Sequence, residues 1–123
     1  MRADAIRIGE IYRFPSVHAA KIKYHVCVAP GWFVFINTDA SKHDCLPIVR
    51  ADYPFLDHDS FINASRIFEY EPDEEIIGAL RTAVLLKKTA RDLIQAVQRS
   101  RVLKPVQKDV VIGQLLGALD GLS

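Results

Sequence analysis

The sequence predicts an α+β fold, with strands over about residues 6–70 and helices over about residues 82–120 of a single domain spanning 1–123. Three observations carry this. The first half is rich in β-branched and aromatic residues that alternate with polar ones. Its two strongest strand formers are separated by Pro30-Gly31, a turn signal. In the last third the apolar period becomes helical.

The elements follow in order. "AIRIGEIYRF" reads as a strand bent at Gly9. "IKYHVCVA" and "WFVFINT" form a hairpin around Pro30-Gly31. The turn-forming loop "DASKHD" leads into "CLPIV", where Pro47 marks an edge strand. "ADYPFLDHD" is irregular, and "SFIN" and "SRIFEY" complete the sheet. After the link "EPDEEIIGAL", Thr82 is placed to cap a helix running to about Gln98. Ala83, Leu86, Ala90, Leu93, Ile94 and Val97 share one stripe of it. "SRVLKP" interrupts, and a last helix runs from about Val106 to Leu119, with Val111, Leu115 and Leu119 four residues apart.

Half of the residues are hydrophobic, enough for a chain of this length to build a core without disulfides or metal. Two cysteines do not make a disulfide scaffold. No apolar stretch approaches the ~18–20 residues of a membrane span, and the first residues lack an export-type apolar region. The expected setting is the cytoplasm, away from membranes. A net charge of +1 hides an asymmetry. Glu69, Glu71, Asp73, Glu74 and Glu75 form an acidic block, whereas Lys87, Lys88, Arg91, Arg99, Arg101, Lys104 and Lys108 make the last third basic. Solvated helix faces and a footprint for an anionic partner both fit that pattern.

The hairpin's first strand is the most specific stretch. A period of two puts Tyr24, Val26 and Val28 on one face and Lys21, Lys23, His25 and Cys27 on the other. The first set suits a core. The second is either an exposed face that tolerates its His and Cys, or a cationic, titratable surface suited to a phosphodiester. His25-Val26-Cys27 and His43-Asp44-Cys45 raise a four-ligand zinc site. His-x-Cys is not a familiar ligand spacing, so separate cysteines and no metal are expected. Asp57 and Asp59 flank His58, but neighbours on an extended segment point opposite ways, and turn formation is their expected role. No Gly-rich phosphate loop and no nucleophile elbow occurs.

The order of parts, with "GEIY" near the start, a long hairpin, "DSFINASRIF", "IIGAL" and a C-terminal helix, resembles the MazF/PemK toxin family over roughly residues 6–103. The resemblance implies a small SH3-like β-barrel with C-terminal helices and a homodimer. It also implies metal-independent RNA cleavage without a cofactor, restrained by an antitoxin protein. Where the family usually has Arg-Pro before a Val-rich strand, this chain has Lys23-Tyr24 before "HVCV". A point charge there replaces a planar bidentate donor. The family's strand-end Thr or Ser matches Thr38.

On this resemblance the RNA 2′-hydroxyl attacks its own phosphate. Lys23 stabilises the developing charge, His25 is acid or base, and Thr38 donates beside Asn37. Lys21, Asn37 and Arg66 hold the RNA. Besides the zinc protein raised by the His-x-Cys pairs, two other classes stay open. One is a non-enzymatic module on the same barrel that inhibits a protein target, as gyrase-poisoning relatives do. The other is a nucleic-acid-binding protein that uses its basic helices, with Lys87, Lys88 and Arg91 as contacts. A symmetric partner is expected at the edge strand near Pro47.

Overall fold

The computed structural model describes residues 6–40, 44–76 and 78–123. Its strands are β1 (Glu10–Ser16), β2 (Lys21–Ala29), β3 (Trp32–Asn37), β4 (Cys45–Ile48), β5 (Ser60–Asn63), β6 (Phe68–Glu69) and β7 (Leu80–Val84). The helices are a short α1 (Pro72–Glu75), then α2 (Lys87–Arg99) and α3 (Pro105–Ala118). The fold is therefore α+β, as the sequence predicts.

All pairings are antiparallel, in the order β4-β5-β3-β2-β1-β7, with β6 beside the other end of β3. Among the described residues the path is open, ending at β4 and β7. The central hairpin forms where Pro30-Gly31 predicts it. Ala29 pairs with Trp32, and Gly31 sits at φ +74°, a conformation a side chain disfavours. Gly9, at φ +86°, turns the chain just before β1 instead of bending a continuous strand.

Alternation along the strands builds two cores. Ile11, Val26, Val28, Val34 and Ile36 face the helices and pack with Leu93, Val97, Val111 and Leu115. Tyr12, Phe14, Cys27, Phe33 and Phe35 face the other way, where Phe68, Tyr70, Ile76 and Ala79 cover them. A sheet buried on both faces carries apolar residues at consecutive positions, which is how "WFVFI" reads.

The predicted stripe on α2 is found at Ala90, Leu93, Ile94 and Val97, all buried. Its start is corrected. Thr82 lies inside β7, and the helix begins at Lys87 after Leu86, which has no side-chain cap. The first-turn N–H groups find distant partners instead. Leu86 N–H donates to the Tyr53 hydroxyl at 3.0 Å, and Lys87 N–H donates to the Ser123 carbonyl at 2.8 Å. Residues Leu80–Val84 are held as strand by pairing with β1. No described helix is long and apolar enough to cross a membrane.

Candidate functional site

The hairpin face divides into two environments. Lys21 is exposed where β2 begins, opposite Ser16. Lys23 is half-buried, its ammonium donating to Asn37 Oδ1 at 2.5 Å and lying 5.0 Å from the Phe35 ring centroid. Burial, and then the nearby Lys21 charge, lower its pKa. Thr38 follows, exposed, on the rim of a small cavity of about 110 Å³ that also includes Tyr24 and His58. Lys23, Asn37 and Thr38 thus gather at the end of β3.

His25 does not join them at the surface. The expectation of an exposed face holds for the lysines and fails from residue 25 onward, because a second apolar layer covers the sheet there. His25 is fully buried. Its ring stacks on Phe14 and meets Phe33, Phe35 and Tyr70 edge-on. Nδ1 lies 3.0 Å from the Lys23 carbonyl, which can only accept, so Nδ1 carries the proton. Nε2 then accepts from the Tyr70 hydroxyl at 2.8 Å. That oxygen accepts from Ser16 Oγ at 2.6 Å, and Ser16 Oγ accepts the His18 N–H at 3.2 Å. Burial is the main force lowering the His25 pKa to about 4, so the ring is neutral at pH 7. A substrate cannot reach it.

Cys27 is sealed in the same layer. Its thiol donates to the Ala29 carbonyl at 3.3 Å, and burial pushes its pKa up to about 12. Both members of the first His-x-Cys pair are thus committed within the protein. His43, from the second pair, lies outside the described residues. No cluster of three or more potential metal ligands occurs among the described residues.

Arg66 lies elsewhere. It is exposed, its guanidinium 4.7 Å from the Phe68 ring centroid, at the opposite end of β3 from Asn37. Here a groove of about 500 Å³ opens between β3, β6 and the start of α3, lined by His18, Trp32, Arg66, Glu69, Lys104 and Gln107. Register places Trp32 opposite Glu69 and Phe33 opposite Phe68, which brings Arg66 to the edge of the indole's strand. The Gln107 side chain accepts from the Lys104 N–H at 3.1 Å, fixing the first turn of α3. Neither Arg66 nor Lys104 has an ion-pair partner among the described residues. His18 stands on the wall, one ring nitrogen 2.9 Å from the Glu69 carbonyl.

Sequence reasoning identifies Arg66 and the basic character of Lys104, but not their meeting around Trp32. The one signal for it is the only tryptophan of the chain, half-buried beside the Pro-Gly turn. Nothing in the sequence marks His18. No protein-family model matches this chain, and no curated protein or solved structure matches it.

Proposed function

We propose that this protein binds single-stranded RNA in the groove between β3, β6 and α3. One observation carries the reading: two cations without ion-pair partners among the described residues, Arg66 just before β6 and Lys104 at the start of α3, meet at a groove lined by Trp32. Phosphates suit the cations, and a base suits the indole face, the combination used for single strands. Arg99, Arg101 and Lys108 flank Lys104 around the α2–α3 link and extend the positive field. Glu69 on the rim limits how far the backbone can spread.

The MazF/PemK resemblance supports RNA as the ligand. An SH3-like barrel reading of the sheet, a cytoplasmic setting and an antitoxin partner belong to the same proposal. Binding of a labelled single-stranded RNA, followed by anisotropy, tests it. Arg66→Ala and Lys104→Ala should each weaken binding across unrelated sequences. Each should also flatten the salt dependence by about 0.7 log units per log salt for every phosphate that is no longer neutralised. Salt-independent binding, or binding indifferent to both substitutions, contradicts it.

A second reading rests on the Lys23–Asn37 hydrogen bond. Lys23, Asn37 and Thr38 gather beside exposed Lys21, and the Lys23 ammonium is lowered in pKa. That set suits metal-independent cleavage in which the RNA 2′-hydroxyl passes its proton to water and attacks its phosphate, the P–O5′ bond breaks with the departing 5′-oxygen protonated by water, and Lys23 neutralises the developing charge. His25, sealed in the core, takes no part in it.

A further inference from the structure

The cationic groove contains a carboxylate. Register sets Glu69 directly opposite Trp32, so the two side chains leave the same face of the sheet with Cβ atoms about 4.5–5.5 Å apart. The backbone there is held on both sides. A His18 ring nitrogen donates to the Glu69 carbonyl at 2.9 Å, and the Tyr70 N–H donates to the Gly31 carbonyl at 2.9 Å. Arg66 and Lys104 line the same groove, yet the Glu69 carboxylate forms neither an ion pair nor a side-chain hydrogen bond among the described residues. It stands beside the indole as a pair of acceptors.

A base stacked on Trp32 turns one edge toward that carboxylate, which can only accept. The bases differ in what they offer it. Guanine alone presents two adjacent donors, N1–H and N2–H, which match the two carboxylate oxygens. Adenine and cytosine offer an amino group next to an acceptor nitrogen, and uracil offers one N–H between two carbonyls. Gln107 completes the match from the α3 wall. Its Oε1 accepts the Lys104 N–H, so Nε2 is the donor left for guanine O6, which lies beside N1 on the same edge. We propose that the groove selects guanine, with Glu69 and Gln107 reading the base that stacks on Trp32. This rests on single-stranded RNA occupying the groove, and adds a base preference that phosphate contacts from Arg66 and Lys104 cannot supply.

Anisotropy with short labelled uridine strands, each carrying one central guanosine, inosine or adenosine, tests it on the full chain. Guanosine should bind about tenfold more tightly than adenosine, which stacks as a purine but lacks the paired donors. Inosine, without the N2 amino group, should fall between them. In Glu69→Ala the guanosine and adenosine strands should bind alike. Both the adenosine strand and an all-uridine strand should bind that variant more tightly, because a negative charge has left the path of the phosphates. Gln107→Ala should lose part of the guanosine advantage. Glu69 is exposed, so folding is preserved, and circular dichroism checks this. Equal binding of every strand by wild type would overturn the guanine preference while leaving the groove a non-selective RNA site. A preference that survives Glu69→Ala, or a variant that binds every strand equally more weakly, would overturn the role of Glu69. Binding of no strand would overturn the RNA reading itself, and the guanine preference with it.

Discussion

The His25 imidazole lies flat on the Phe14 ring, with centroids 3.7 Å apart and planes 9° from parallel. A residue whose usual value is 6.5 is thereby used as a neutral aromatic filler, its pKa lowered to about 4 chiefly by burial. The unfolded chain takes up a proton near pH 6.5 that the folded chain resists until about 4. The stabilisation is therefore complete above 6.5 and disappears as pH falls through that window, to a total of about 3 kcal/mol. Urea unfolding at pH 7 and pH 4.5 should show this loss in wild type. In His25→Phe, which cannot titrate there, the loss should shrink by most of that amount; an unchanged pH dependence would mean that His25 is not buried neutral.

Tyr70 holds the other end of that ring. Its hydroxyl donates to His25 and accepts from Ser16. Tyr70→Phe keeps the ring packing and leaves both partners buried without it. The expected cost is about 1–3 kcal/mol in denaturant unfolding at pH 7. A variant as stable as wild type would show that the chain of hydrogen bonds contributes nothing.

Cys27 should be inert. With its thiol fully buried and its pKa raised to about 12, the thiolate is scarce at pH 8. Iodoacetamide followed by peptide mapping should find Cys27 unmodified in native protein and modified in 6 M guanidinium. Rapid native labelling at that position would contradict the sealed second core.

The same second core marks where the sequence is legible. The hairpin follows from Pro30-Gly31, and the buried stripe of α2 from the spacing of Ala90, Leu93, Ile94 and Val97. Both are local patterns. His25 reads as a surface residue because the polar lysines share its face. The consecutive apolar run "WFVFI" in the neighbouring strand is the signal that both faces are covered. The start of α2 is hidden for another reason. The Leu86 and Lys87 N–H groups are satisfied by Tyr53 and Ser123, far away in sequence, so no local cap marks the start and Thr82 misleads. The groove is hidden likewise, since Trp32, Arg66 and Lys104 meet only through the register of β3 with β6 and the placement of α3.

Cleavage and binding predict different products. With His25 sealed away, the binding reading expects long, varied RNA to stay intact after prolonged incubation with folded protein. The Lys23–Asn37 reading expects fragments ending in 2′,3′-cyclic phosphate and their disappearance in Lys23→Ala. A denaturing gel with end-group analysis separates the two. Specific fragments from wild type but not from that variant would favour the enzyme.

The central claim, that a single strand occupies the groove against Trp32, can be read from the protein's own fluorescence, because Trp32 is the only tryptophan. Titration with an unlabelled single-stranded RNA should quench it saturably, since a stacked base perturbs the indole directly. The apparent Kd should weaken steeply between about 50 and 200 mM salt. Arg66→Ala with Lys104→Ala should shift the curve to higher RNA while leaving the unbound emission unchanged. RNA that binds by anisotropy yet leaves Trp32 emission untouched would place the interface elsewhere and contradict the claim.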